Sequence, residues 1–188
     1  MYHIKSDRRS QASAAEIVRG IQECLRSTPL KNITVSDIHR VTGISRATFY
    51  RLFDTPEDVL IYQLDQMTDM ALASAVYSGS VSTRQVMEET IALGLQNYEF
   101  LKALVTNGRH DLLFQYTEKS FRRLDSLKKI FPEELTEPER SYIIAYLSMS
   151  MVASQITWAR NGQQESPKDL MHYLKRYTQV VTALLEET

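Results

Sequence analysis

The sequence predicts an all-α protein, and three observations carry that expectation. Apolar residues recur at spacings of three and four along most of the chain, the period of a helix with one buried face. Glycine and proline, the strongest punctuators of regular structure, number only six and five in 188 residues. Helix-start chemistry precedes several of the periodic stretches, at Thr34, Ser45, Thr55-Pro56 and Ser166-Pro167. About nine helices are expected: an N-terminal three-helix head over residues 1–55 and a larger helical body over residues 56–188. That length suffices for one or two small domains with a buried core.

The first helix is expected from about Arg8 to Ser27, with Ala14, Ile17, Val18, Ile21, Cys24 and Leu25 as its buried stripe. Pro29 ends it, since proline cannot continue the ladder. Cys24 is the single cysteine, which excludes a disulfide framework within one chain and reads as a reduced core thiol. Two short helical patterns follow, in the stretch TVSDIHRVTGISRATFYRLF from Thr34 to Phe53. Val35, Ile38 and Val41 mark the first, behind Thr34 as N-cap. Gly43 sits where the chain needs a left-handed residue. Ser45 caps the second, with Ile44 and Phe49 placed as a hydrophobic staple. That arrangement leaves Arg46, Ala47, Thr48, Tyr50 and Arg51 on the open face of the second helix. Arginines, a hydroxyl and a tyrosine on one short helix suit base edges and phosphates in a major groove. The stretch reads as a helix-turn-helix.

GISRATFYRLF resembles the recognition-helix signature of the tetracycline-repressor (TetR) family, G-[VI]-S-x-x-T-[LF]-Y-x-[HY]-F, at Gly43, Ile44, Ser45, Thr48, Phe49, Tyr50 and Phe53. The family's upstream pattern is met by Thr34, Val35, Ile38, Thr42 and Gly43. The resemblance implies a homodimeric transcriptional regulator, a repressor, bound to a pseudo-palindromic double-stranded DNA operator and released by a small-molecule effector. Carried over position by position, it implies that Thr34 and Ser36 meet phosphate, with Ser45 capping the reading helix. Arg46, Ala47 and Thr48 would face bases, Arg46 reading a guanine, while Tyr50 and Arg51 hold the backbone. Three positions depart from the pattern. His39 replaces a small alanine, Leu52 replaces a polar or aromatic residue, and Pro56 stands where many members have lysine. The last two departures remove phosphate grips.

Charge follows the same division. Residues 1–55 carry nine Lys/Arg against five acids, a net +4, while the rest of the chain is net −5. A basic head on an acidic body suggests that the head alone meets a polyanion. Lys5, Arg8 and Arg9 reach a neighbouring phosphate or form a solvated tail.

Thr55, Pro56, Glu57 and Asp58 open a fourth helix, whose stripe Val59, Leu60, Leu64, Met67 and Leu72 runs to about Tyr77; Ser78-Gly79-Ser80 ends it. Five body helices follow, at about 82–96, 98–106, 109–130, 141–159 and from 167 onward. Pro132 and the acidic run Glu133 to Glu139 are expected as a loop. Ser141 to Ala159 contains no charged residue, long enough for a membrane span, yet its scattered Ser, Gln and Thr argue against one. Such a helix must be covered by protein on most faces. The final helix repeats Leu170, Tyr173, Leu174, Tyr177, Val180, Val181, Leu184 and Leu185. One protomer of this size does not cover both stripes, and a two-fold interface would. Tyr146, Met149, Leu170, Leu174, Tyr177, Val181 and Leu184 are the expected interface residues, and the family resemblance implies dimerisation through the same last two helices.

An effector pocket is expected among the body helices near Tyr98, His110, Phe114, Tyr116, Met149 and Trp158. Enzyme chemistry finds no support, and no catalytic residue, metal or cofactor is expected. The four histidines are scattered without a second ligand at metal spacing, and no Gly-rich phosphate loop or activated nucleophile occurs. No apolar leader is visible, so a cytoplasmic location with no membrane partner is expected. The alternative keeps the fold and changes the role to that of a coactivator, whose body binds a partner protein and no small ligand.

Overall fold

The computed structural model describes residues 1–77, 92–94, 96–128, 131–162 and 164–186; for 74–77, 98, 128, 167, 168, 171, 178 and 181–186 it describes the backbone alone. The helices are α1 (Arg8–Leu25), α2 (Val35–Thr42), α3 (Arg46–Leu52), α4 (Pro56–Tyr77), α5 (Tyr98–Thr106), α6 (His110–Lys128), α7 (Glu137–Arg160) and α8 (Pro167–Glu186), with one 3-10 turn at Leu30–Asn32. Among the described residues the protein is all-α apart from a single antiparallel bridge, Tyr2 to Phe53. The helix expected at 82–96 falls largely outside the described residues. The chain forms two compact units: Met1–Met67 with Thr106–Gly108, and Thr68–Val105 with Arg109–Thr188.

In the first unit each helix start is closed by a side chain. Asp7 Oδ1 accepts the Ser10 N–H at 2.9 Å to start α1. Ala14, Ile17, Ile21 and Cys24 of α1 are buried. Gly20 shares that face at the crossing with α2, where any Cβ would overlap the Thr42 methyl, so only glycine permits so close an approach. Thr34 and Asp37 form a reciprocal capping box at the start of α2. Asn107, from the turn between α5 and α6, belongs to this unit: its Oδ1 accepts the Leu30 N–H at 2.7 Å.

The second unit is built on Phe121, Phe131, Ile144, Met151, Leu170 and Leu174, against which Leu135, Ile143, Leu147 and Trp158 pack. Arg140 fastens the connection between α6 and α7, donating to Asp125 Oδ2 at 3.0 Å, Pro132 O at 2.8 Å and Leu135 O at 3.2 Å. The acidic run expected as loop to Glu139 ends earlier. Thr136 and Glu139 form a capping box, so Glu137 already lies in α7, and its acids complement the helix dipole.

The uncharged stretch of α7 is covered on one side only. Ile144, Ser148, Met151 and Val152 are buried, while Tyr142, Tyr146 and Met149 stand exposed on the same helix. None of the described helices is long and apolar enough to cross a membrane.

Candidate nucleic-acid interface

The turn between α2 and α3 is built residue by residue to aim α3. Gly43 takes φ 71°, the left-handed conformation that releases the chain from α2. Thr42 Oγ1 donates to Ile38 O at 2.8 Å and accepts the Ile44 N–H at 3.1 Å, which bends the backbone into the turn. His39 Nδ1–H donates to Ile44 O at 2.8 Å, bridging the two sides of the turn. The departure at His39 therefore has a defined outcome: where a small residue would only pack, the imidazole ties the turn shut. Ser45 Oγ accepts the Thr48 N–H at 3.1 Å and donates to Thr48 Oγ1 at 3.0 Å, so both hydroxyls are oriented by the cap.

From that start, α3 divides cleanly. Phe49 and Leu52 point inward and are buried to about 1% exposure, followed by Phe53 at 0%. Arg46, Ala47, Tyr50 and Arg51 face outward, with Thr48 half-buried between the faces. Tyr50 is rooted by an edge contact to Phe49, ring centroids 5.6 Å apart, while 56% of its surface stays exposed. Thr34 and Ser36 are exposed at the first turn of α2, although the Thr34 hydroxyl is committed to Asp37. That hydrogen bonding holds the Asp37 carboxyl below the usual carboxylate range, the Thr34 hydroxyl contributing most. Leu52 is core, which accounts for the departure there: the position contributes packing.

Electrostatically the face is selective. Arg19, Arg26 and Arg40 are each paired with an acid three residues away, Glu16, Glu23 and Asp37. Arg46 and Arg51 have no acidic partner among the described residues. The two arginines stand five residues apart, a rise of about 7.5 Å along the helix axis. Lys5, Arg8 and Arg9 are also exposed.

The expected effector residues separate. Trp158 lines a small apolar cavity of about 20 Å³, together with Leu101, Val105, Met151, Gln155 and Leu170. His110, Phe114 and Tyr116 are not among its lining residues, and Met149 points away from it, 53% exposed, because a two-residue step around the helix separates it from the inward Met151. Tyr98 lies on α5, its side chain outside the described set. Tyr116 is packed, its hydroxyl buried with no partner among the described residues, and burial pushes that phenol's pKa up. The sequence did carry a signal for this cavity's lining: Met151, Ser154, Gln155 and Trp158 follow the i, i+3, i+4, i+7 rule of one helix face.

The expected dimer residues divide too. Tyr146, Met149 and Tyr177 are exposed, whereas Leu170 and Leu174, 8% and 6% exposed, pack in the protomer's own core. Within the protomer, α8 turns Leu170 and Leu174 inward and leaves Tyr173, Tyr177 and Val180 outward. Val181 and Leu184 lie on α8 with side chains outside the described set.

Comparison with known proteins agrees with this geometry. Residues 82–179 match the family model for the TetR transcriptional regulator C-terminal region. The chain is 35% identical over 97 residues to the HTH-type transcriptional regulator EthR of Mycobacterium tuberculosis, a match covering 50% of this chain and 45% of that protein. The chain thus spans about half the length of the curated relatives it matches. Its fold is similar to that of Lin0861 from Listeria innocua, with TM-score 0.78 at 10% identity, covering 95% of this chain and 96% of that one. It is also similar to a TetR transcriptional regulator from Streptococcus agalactiae, with TM-score 0.61 at 18% identity, covering 89% and 94%. With a helix-turn-helix at its head and the family model matched over residues 82–179, the chain belongs to the TetR family of DNA-binding transcriptional regulators.

Proposed function

We propose that the protein acts as a homodimeric repressor, its two α3 helices entering successive major grooves of a pseudo-palindromic operator. The observation that carries the reading is the outward face of α3, where Arg46 and Arg51 have no acidic partner among the described residues while Arg19, Arg26 and Arg40 are paired. Arg46, in the capped first turn, reads a base; Arg51 and Tyr50 hold the backbone, with Thr34 and Ser36 against a flanking phosphate.

Dimerisation is supported by apolar residues that the protomer leaves uncovered. Tyr142, Tyr146 and Met149 on α7 and Tyr173, Tyr177 and Val180 on α8 share the spacing i, i+4, i+7 and are 41–79% exposed. Fully buried aromatic side chains contribute roughly 150–250 Å² each, so two such stripes bring a stable interface within reach. Effector release rests on the cavity beside Trp158. At about 20 Å³ it holds little more than a water, so a ligand must open it. A body that opens around a ligand couples binding there to DNA affinity, reciprocally.

The deciding experiment is selection of bound duplexes from a random pool by the purified chain, followed by gel shifts with and without a cell metabolite extract. A two-fold symmetric sequence whose binding the extract weakens is the expected result. The coactivator reading is favoured by one observation, the absence of a cation at Leu52 and Pro56. It predicts that a protein fraction, and no metabolite fraction, changes the shift.

A further inference from the structure

The chain ahead of α1 does not trail away from the head. Tyr2 forms the bridge with Phe53, the residue that ends α3. The His3 N–H donates to Leu52 O at 2.8 Å, and the Asp54 N–H donates to Met1 O at 3.1 Å. These bonds satisfy backbone groups just where α3 runs out of its own. Side chains extend the attachment to the next helix. The Tyr2 hydroxyl donates to Asp65 Oδ2 on α4 at 2.7 Å, and His3 Nε2–H donates to Asp54 Oδ1 at 3.0 Å.

The rings make one continuous series of edge and tilted contacts. Phe49 inside α3 lies 5.8 Å from Phe53, Phe53 lies 5.7 Å from Tyr62 on α4, and Tyr62 lies 5.2 Å from Tyr2. Each separation is within the range of favourable aromatic pairing. Tyr2 thus closes a ladder that starts inside the reading helix. Because α3 is only seven residues long, it has too few internal hydrogen bonds to hold its own orientation, and its aim depends on what grips its exit.

We propose that Tyr2 and His3 are positioning residues for DNA reading, a strap that fixes the exit of α3 to α4 and so sets the aim of Arg46. The strap touches no DNA itself. The inference rests on the DNA-reading role of α3, and its failure is distinguishable from failure of that role.

The test uses the full chain and a 30-base-pair duplex that the wild-type protein selects from a random pool, beside a scrambled duplex. Tyr2→Ala should raise Kd for the selected duplex about tenfold, the order expected when one or two side chains must be ordered on binding. Tyr2→Phe, which keeps the ring and removes the hydroxyl that bonds Asp65, should raise it about twofold. Binding to the scrambled duplex and the slope of log K against log salt should stay at wild-type values, because no phosphate contact is lost. Equal affinity of both variants and wild type for the selected duplex overturns the proposal. So does a fall in affinity for both duplexes with a shallower salt slope, which would make Tyr2 a phosphate contact. If Tyr2→Ala fails to fold, Tyr2→Phe decides: an unchanged Kd and unchanged preference overturn the strap. A wild-type chain that selects no duplex sinks the DNA reading itself.

Discussion

The two units of the protein offer solvent opposite kinds of surface. The first presents unneutralised guanidinium groups on a helix that is otherwise closed by caps and rings. The second presents tyrosines, a methionine and a valine in two stripes on α7 and α8. A charged face finds its partner by electrostatics, so its binding falls steeply with salt and tolerates many sequences weakly. An apolar face finds its partner by burial, so its association is nearly indifferent to salt. The difference teaches that, on the proposed reading, the two surfaces obey different physics, so salt dependence tells a change at α3 from a change at the α7 and α8 stripes.

The sharpest break is on the apolar side. Tyr146→Asp with Tyr177→Asp should raise the dimer dissociation constant about a thousandfold, roughly 4 kcal/mol, because charges would be buried unpaired. Sedimentation at several concentrations checks this, and a double variant that stays dimeric moves the interface elsewhere. Leu174→Ala sharpens the contrast on the same helix. It should cost about 2–5 kcal/mol of protomer stability, since Leu174 lies in the core, while leaving the surviving folded fraction dimeric. Denaturant unfolding monitored beside sizing separates the two effects.

Smaller effects follow from polar groups. Thr34→Ala removes the cap of α2 and should lower the melting temperature by roughly 2–4 °C. Asp37, its partner, has a depressed pKa, so its contribution is present above the unfolded pKa of about 4 and is lost as pH falls through the lower folded value. The difference between wild type and Thr34→Ala should therefore shrink below about pH 4 in melting scans. Tyr116→Phe is the least disruptive. Its hydroxyl is buried with no partner among the described residues, so removal should leave stability unchanged or raise it by about 1 kcal/mol. A loss of stability would reveal a partner for that hydroxyl.

Much of this was legible in the sequence where local chemistry decides the outcome. Thr34, Gly43, Ser45 and Pro56 act through their own backbone neighbourhood, and the helix boundaries at each were readable for that reason. Of the expected open-face set, Arg46, Ala47, Tyr50 and Arg51 are exposed, while Thr48 lies half-buried between the faces. What sequence did not disclose depends on contacts distant along the chain. The Tyr2–Phe53 bridge joins residues 51 apart, and nothing in the tripeptide Met1-Tyr2-His3 signals it. Leu170 and Leu174 shared an apolar stripe with Tyr177, and only packing against Phe121 and Phe131 separates the core face from the open one. Met149 and Met151 show the same limit: both are apolar, and a two-residue step around α7 sends one out and the other in.

The most direct test of the central claim is the affinity of Arg46→Ala for a selected and a scrambled duplex, measured across a range of salt. Because Arg46 lies in the capped first turn of α3 with no acidic partner among the described residues, its loss should cost about 1–3 kcal/mol per half-site on the selected duplex. On the scrambled duplex the loss should be small, with the salt slope near wild type, whereas Arg51→Ala should weaken both duplexes and reduce the slope by about one unit per contact. Equal losses for Arg46→Ala on both duplexes would contradict the account, placing Arg46 on phosphate and the reading of bases elsewhere.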